Sequence, residues 1–216
     1  MPDLPLLLGH RGARASRSVP ENTFASFDLA LAHGCQGFEF DVRLTGCGRA
    51  LVCHDPEVGG VTVSYATRDQ LLDLPRLEEV LERYGRRVFL DIELKVPGLE
   101  PKVLAMLRQY PPAFDYVVSS FLADVLMELK ARSALIPLGL ICDKRSMLEH
   151  WQKVPVDYLI AHESLLEQSL VEAVHAAHRK ILVWTVNDEK SMLRLASWGV
   201  DGIISDDTQL LARTLG

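Results

Sequence analysis

The sequence predicts an α/β protein, a single (β/α)8 barrel that occupies residues 1–216 as one domain. Short apolar segments alternate with amphipathic ones along the chain, a pattern typical of a parallel sheet covered by helices. The length of 216 residues fits one such barrel. No low-complexity tract or Pro/Gly linker separates two domains. A doubly wound open sheet is the competing architecture.

Nine segments have the apolar content and the length of buried strands. They are residues 6–10, 37–44, 50–54, 88–94, 116–121, 138–142, 158–162, 181–186 and 202–205. Helical periodicity lies between most of them, at residues 23–33, 122–131, 165–178 and 190–198. The longest interval begins with a loop that we expect to form a small cap over the barrel mouth, and it continues as a helix over residues 69–84.

The third predicted strand is expected to fold back antiparallel on the second, as a short hairpin arm. The five residues that link the two strands are too few for a helical crossover. Gly46 and Gly48 in this link favour a hairpin turn. A turn centred near Gly46 and Cys47 places His54 roughly opposite Glu39. Without the arm, eight strands remain for the barrel.

Acidic residues occupy alternate positions on two of the predicted strands. Glu39 and Asp41 share one face of the second strand, and Asp91, Glu93 and Lys95 share one face of the fourth and its end. With helices on the apolar face, these side chains point into the barrel near its carboxyl end, where such barrels hold their active sites. Buried charges are usually paired or bound to metal. Glu39, Asp41 and Glu93 are therefore candidate ligands of Mg²⁺ or Ca²⁺.

A purely structural network of ion pairs is the alternative explanation for these acids. In that interpretation Lys95 and Arg11 neutralise the carboxylates. An active site is favoured over this structural network, because His10 ends the first predicted strand and His54 ends the hairpin arm. A histidine can transfer a proton near neutral pH, and the neighbouring Arg11 can bind a phosphate through two hydrogen bonds.

Composition argues against several classes of partner. The net charge of −6 does not suit general nucleic-acid binding. The sequence has no polybasic segment for an anionic membrane surface and no apolar run of 18 residues. The four cysteines form no C-x-x-C pair and are expected to be reduced thiols. No stable membrane association and a cytoplasmic location are expected.

The combined motifs resemble the glycerophosphodiester phosphodiesterase family. The matching segments keep the family's order over nearly the whole chain: Gly9-His10-Arg11-Gly12, Pro20-Glu21-Asn22-Thr23, Glu39-Phe40-Asp41-Val42, His54-Asp55, Glu93-Leu94-Lys95, Ser120-Phe121, Trp184-Thr185-Val186-Asn187 and the segment from Gly199 to Asp206. The stretch between His54 and Glu93 is shorter than the family's usual insertion.

This resemblance implies a TIM-barrel fold and the hydrolysis of glycerophosphodiesters to glycerol 3-phosphate and an alcohol. It implies that His10 and His54 are the acid/base pair. It further implies a divalent cation, Mg²⁺ or Ca²⁺ with Mn²⁺ as a third candidate, held by the three carboxylates. Arg11 and Lys95 would then bind the phosphate, and Trp184 would line the substrate pocket.

Two other functions remain as alternatives. A lysophospholipase D would need an apolar groove for an acyl chain, which the shortened insertion could open. A non-catalytic barrel that binds phosphodiesters should have lost a histidine or a carboxylate, and none is missing here. A barrel isomerase or aldolase fits poorly because no lone lysine lies in an apolar setting.

Overall fold

The strands of the computed structural model, which describes residues 4–149 and 151–216, are short and mostly fully buried. In chain order they are β1 (Leu6–Gly9), β2 (Gly37–Leu44), β3 (Ala50–Val52), β4 (Glu57–Val58), β5 (Val61–Thr62), β6 (Phe89–Leu94), β7 (Tyr116–Ser120), β8 (Leu138–Cys142), β9 (Tyr158–His162), β10 (Lys180–Trp184) and β11 (Gly202–Ser205). The predicted strands agree with these within two residues, a usual uncertainty for element ends.

Eight parallel strands close into a barrel. Their order is β1-β11-β10-β9-β8-β7-β6-β2, and β2 pairs in turn with β1. This closed ring confirms the predicted (β/α)8 barrel and excludes the open sheet. Because the strands are parallel, all their carboxyl ends lie at the same mouth.

The helices follow the strands and cover the outside of the barrel. They are α1 (Phe24–Ala32), α2 (Leu77–Tyr84), α3 (Glu100–Gln109), α4 (Ala123–Arg132), α5 (Arg145–Leu148), α6 (Gln168–Ala176), α7 (Glu189–Ser197) and α8 (Thr208–Leu215). Among the described residues, no helix has the length and apolar character needed to cross a bilayer.

The helix predicted over residues 69–84 is half wrong, because α2 begins only at Leu77. Pro75 explains the late start, since the residue before a proline is pushed out of the helical region. Leu71 also takes a left-handed conformation with a φ of 55°. The first half of this segment therefore forms turns.

The predicted hairpin arm is confirmed. β3 pairs antiparallel with β2, with Val42 opposite Val52, and the amide of Cys53 donates to the carbonyl oxygen of Asp41. His54 therefore follows next to Phe40, one residue from the position expected. After the arm, β4 and β5 form a small ribbon. This ribbon occupies the interval in which a cap was expected.

Aromatic side chains join α1 to the outer face of β2. Phe27 stacks on Phe38 with ring centroids 4.2 Å apart, and the edge of Tyr84 meets Phe38 at 5.0 Å. All three residues are fully buried. Because side chains alternate along a strand, the outward direction of Phe38 and Phe40 turns Glu39 and Asp41 into the barrel.

Apolar side chains fill the interior below these acids. The interior cluster contains Leu8, Phe89, Val117, Ile141, Tyr158, Ile160, Leu182 and Ile204. The lower barrel is therefore packed, and polar interior residues concentrate at the carboxyl mouth.

Candidate active site

The first strand ends in a tight turn that brings His10 and Arg11 to the carboxyl mouth. The amide of His10 donates to the carbonyl oxygen of Ser205 (2.9 Å), which continues the pairing of β1 with β11. Arg11 (φ 51°) and Gly12 (φ 82°) then take left-handed conformations. A side chain at Gly12 would collide with Ser26, so this position needs glycine on both counts.

Glu39, Asp41 and Glu93 converge at the same mouth. β2 and β6 pair in register, so that Asp41 lies beside Glu93 and Glu39 lies beside Asp91. One oxygen from each of the three converging acids lies within 4.8 Å of the other two. All three residues are buried. The strand alternation seen in the sequence therefore produces a compact cluster of carboxylates.

Lys95 and Arg11 carry the positive charges that contact this cluster. Lys95 Nζ lies 2.7 Å from Glu93 Oε1 and 3.2 Å from Asp41 Oδ1. Arg11 Nε lies 3.2 Å from Asp41 Oδ2, and its Nη1 donates to Glu21 Oε1 at 2.8 Å. The ion pairs expected by the purely structural interpretation are therefore present.

These ion pairs leave one carboxylate oxygen of the cluster, Glu39 Oε1, buried and without a partner among the described residues. Glu39 Oε2 accepts from the amide of Arg11 (2.9 Å), whereas Glu39 Oε1 accepts from none of the described residues. Asp41 Oδ1 and Glu93 Oε1 meet the Lys95 ammonium group and no other donor among the described residues. Unsatisfied buried oxygens are costly, and hard divalent cations bind oxygens of this kind. The donor set therefore fits Mg²⁺, Ca²⁺ or Mn²⁺.

Burial and repulsion disfavour the ionised acids. Burial, followed by the charges of Asp41 and Glu93, raises the pKa of Glu39 well above its ordinary value. Burial and then Asp41 raise the pKa of Glu93 to about 7, although Lys95 opposes the shift. Burial alone would also raise the pKa of Asp41, but Lys95 and Arg11 lower it below its ordinary value. A cation bound among the three carboxylates would reduce the repulsion between them and favour their ionised forms.

His10 and His54 approach the carboxylates from two different strands. His10 Nδ1 lies 2.7 Å from Asp206 Oδ1, and its Nε2 lies 3.8 Å from Glu39 Oε2. His54 Nδ1 lies 2.8 Å from Asp55 Oδ1, and Arg43 Nε donates to the His54 carbonyl oxygen at 2.6 Å. Since Nδ1 of each ring faces a carboxylate, Nε2 is the nitrogen available to a ligand.

A small cavity of about 100 Å³ joins the two histidines to an apolar wall. Its polar side consists of His10, Arg11, Glu39, His54, Asp91, Glu93 and Lys95, and its apolar side of Phe121, Ile141, Ile160, Trp184 and Ile204. Trp184 packs edge to face on Phe121, with centroids 5.7 Å apart. Trp184 Nε1 is buried without a hydrogen-bond partner among the described residues. Every predicted site residue thus lines this cavity or, as with Asp41, lies directly behind it.

A larger cavity of about 710 Å³ opens at the opposite end of the barrel, beside the amino ends of the strands. Its lining is mostly apolar and includes Leu6, Val88, Phe89 and Phe114. The acids and histidines concentrate at the carboxyl mouth, so the smaller cavity is the candidate active site.

Two further residues support the site without having been identified from the sequence. Asn22 Nδ2 donates to Asp41 Oδ2 at 2.8 Å, and Asp206 contacts His10. Both belong to segments that match the family's motifs, but a pattern along the chain does not show which side chain a motif residue will touch. Their partners became visible only when the barrel brought distant loops together.

Comparison with known proteins agrees with this geometry. The profile of the glycerophosphoryl diester phosphodiesterase family matches residues 10–74 and 63–210. A glycerophosphodiester phosphodiesterase from Caldanaerobacter subterraneus subsp. tengcongensis is 31% identical, with 95% of this chain and 96% of that protein aligned.

Solved structures agree as well. A phosphodiesterase from Oleispira antarctica, solved in complex with the product sn-glycerol-3-phosphate, superposes with a TM-score of 0.86 at 28% identity, over 98% of this chain and 96% of that one. A glycerophosphodiester phosphodiesterase from Thermotoga maritima gives a TM-score of 0.83 at 26% identity, with 98% of both chains covered.

Proposed function

Since the chain belongs to the glycerophosphoryl diester phosphodiesterase family, we propose that it hydrolyses glycerophosphodiesters to glycerol 3-phosphate and an alcohol in a metal-dependent reaction. The observation that carries this proposal is the convergence of three buried carboxylates and two histidines around one cavity. The product-bound relative from Oleispira antarctica supports the same substrate class.

Glu39, Asp41 and Glu93 would hold the divalent cation. Their hard donor character, and the Glu39 oxygen that has no partner among the described residues, favour Mg²⁺ or Ca²⁺, with Mn²⁺ as a third candidate. When bound, the cation neutralises charge on a phosphate oxygen and makes the phosphorus more susceptible to attack.

Arg11 and Lys95 would bind the remaining phosphate oxygens. Both side chains line the cavity, and both are mostly buried. In a site with little water, their positive charges stabilise the additional negative charge that develops as the nucleophile approaches. Their contacts with Asp41 hold them in place before the substrate arrives.

His10 and His54 would carry out the two proton transfers of the reaction. One imidazole removes the proton from the attacking oxygen, which is a water or the glycerol hydroxyl beside the phosphate. If the hydroxyl attacks, the alcohol leaves with formation of a cyclic phosphate, and a water then opens this ring to give glycerol 3-phosphate. The other imidazole donates a proton to the departing alkoxide. This division needs two proton-transfer groups on one cavity, and Nε2 of each ring is available for it.

The size of the cavity favours a small glycerophosphodiester over a lysophospholipid. Drug-sized ligands occupy pockets of roughly 300–1,000 Å³, whereas this cavity measures about 100 Å³. That space suits the phosphoglycerol group. The apolar wall of Phe121 and Trp184 would contact its carbon chain, and the unpartnered Trp184 Nε1 is a donor for a hydroxyl oxygen.

The proposal is tested by measuring the release of glycerol 3-phosphate from glycerophosphocholine, glycerophosphoethanolamine and glycerophosphoglycerol, with Mg²⁺, Ca²⁺ and Mn²⁺ in turn. We expect turnover that EDTA abolishes and that one of these cations restores. Faster cleavage of lysophosphatidylcholine would show a lysophospholipase D instead. A protein that turns over no phosphodiester and does not respond to EDTA would be a non-catalytic binding barrel.

A further inference from the structure

Asp206 occupies the side of His10 that faces away from the cavity. It follows β11 directly, and β11 pairs with β1, the strand that His10 ends. The carboxylate Oδ1 lies 2.7 Å from His10 Nδ1. This contact joins residues that are 196 positions apart.

Two further side chains, those of Asn187 and Arg14, hold the carboxylate of Asp206. Asn187 Nδ2 donates to Asp206 Oδ2 at 2.8 Å, and Asn187 Oδ1 accepts from the Asp206 amide and from the Ser205 hydroxyl. Arg14 Nη1 lies 3.2 Å from Oδ1. Burial alone would raise the pKa of Asp206, but the contact with His10, followed by Asn187 and Arg14, holds it below its ordinary value. The group facing His10 is therefore an ionised acceptor in a fixed orientation.

We propose that Asp206 is the positioning residue for His10, keeping a proton on Nδ1 and directing Nε2 toward the cavity. A carboxylate at Nδ1 accepts a hydrogen bond only from a protonated nitrogen, and that bond selects the tautomer. Neutral His10 then presents Nε2 as a lone pair that takes a proton from the reacting oxygen. Once charged, His10 presents the same Nε2 as a hydrogen-bond donor, which can give that proton to the departing oxygen. This role rests on the proposed function of His10.

His54 provides an internal comparison. Its Nδ1 also meets a carboxylate, but the side chain of Asp55 is 72% exposed, whereas that of Asp206 is 18% exposed. Water can replace an exposed acceptor at little cost, and exposed charge pairs contribute little. Asp206 should therefore matter more to His10 than Asp55 matters to His54.

The test compares Asp206→Ala, Asp206→Asn and Asp55→Ala. We expect Asp206→Ala to lower kcat by roughly 10- to 100-fold with little change in KM, a part of the roughly 10²–10⁴ that general acid–base catalysis provides. In Asp206→Asn, Asn187 Nδ2 donates to the one remaining oxygen and the new amide NH₂ faces His10 Nδ1. This variant should favour the opposite tautomer and lose at least as much as the alanine variant, and Asp55→Ala should lose least. Thermal unfolding establishes that each variant is folded. If the alanine variant does not fold, the asparagine variant replaces it in the comparison.

The imidazole nitrogen shifts of His10, measured by NMR, provide a second readout that does not need turnover. The wild type should show Nδ1–H, the alanine variant should lose this preference, and the asparagine variant should shift it toward Nε2–H. Unchanged kcat, or an unchanged His10 tautomer in a folded Asp206 variant, would overturn the assignment. If the wild type releases no glycerol 3-phosphate, the proposed function fails, and the tautomer still tests the positioning.

Discussion

Asn22 forms hydrogen bonds with Asp41 through both the nitrogen and the oxygen of its carboxamide. Its Nδ2 donates to Asp41 Oδ2 at 2.8 Å, and its Oδ1 accepts from the Asp41 amide at 3.3 Å. Asn22 reaches this position from a left-handed backbone conformation with a φ of 57°. The loop before α1 therefore sets the orientation of a carboxylate that belongs to β2.

Asn22→Gly should weaken cation binding. Glycine adopts the left-handed conformation freely, so the backbone is retained while the donor to Asp41 is lost. Losing a group that orients a metal ligand typically costs about 10- to 100-fold in affinity or activity. The measurement is the cation concentration that gives half-maximal activity, and an unchanged value would contradict the role of Asn22. The control is His178→Gly, which makes the same kind of exchange at an exposed residue with left-handed backbone and should leave this cation concentration unchanged.

His10→Ala and His54→Ala should each lower kcat by at least about 10²-fold, the lower end for general acid–base catalysis. Each variant removes one of the two proposed proton-transfer groups and leaves the carboxylates in place. Steady-state kinetics under saturating cation measures the loss. His175→Ala is the matched control, because His175 is half-exposed on α6 and pairs with Asp201. Turnover near the wild-type level in either site variant would refute the assigned role.

A divalent cation should stabilise the wild-type protein and not Glu39→Gln. A ligand that binds only the folded state adds about 2.7 kcal/mol to the free energy of unfolding when its concentration is about 100 times Kd. Thermal unfolding with and without Mg²⁺ or Ca²⁺ measures the gain. Asp143→Asn removes an exposed negative charge just beyond β8 and should keep the full response. An equal response in the Glu39 variant would exclude Glu39 as a ligand.

Cys47 should react with an aromatic disulfide much faster than the other three cysteines. It is exposed in the hairpin turn, and the hydrogen bond with Thr45 is the main cause that lowers its pKa. Burial raises the pKa of Cys35 and Cys142 to about 12 and that of Cys53 to about 11.

Because the thiolate is the reacting form, one fast thiol should titrate at lower pH than an ordinary cysteine, and three should stay protected in the folded protein. The absorbance of the released thiolate follows the reaction. Cys47→Ser should remove the fast phase, and Cys142→Ser should leave it. Two or more fast thiols in the folded wild type would contradict this assignment.

The positions of the acids could be predicted because strands impose a period of two. Once Phe38 and Phe40 face the helices, Glu39 and Asp41 must face the interior. The hairpin arm could be predicted for a similar reason, since a five-residue link leaves no other connection for two paired strands.

The contacts of Asp206 and Asn22 could not be predicted in this way. The pairing of Asp206 with His10 depends on the register in which β1 meets β11, with Gly9 opposite Ser205. A sequence pattern predicts that a barrel closes, but it does not set this register. Asn22 depends on a left-handed backbone that an asparagine adopts only in particular loops.

The two histidines are attached to the protein in unequal ways. His10 follows a strand whose backbone is paired on both sides along its length, whereas His54 follows the three-residue β3. The backbone of β3 pairs with β2 on one side and, among the described residues, makes one hydrogen bond to Pro75 and one bridge to Arg76 on the other. Short, weakly paired segments open locally at lower free energy than core strands. Residues 55–74 hold none of the clustered acids. Residues 55–74 are therefore a suitable segment for loop exchange, because a new loop there would leave the clustered carboxylates of the barrel unchanged.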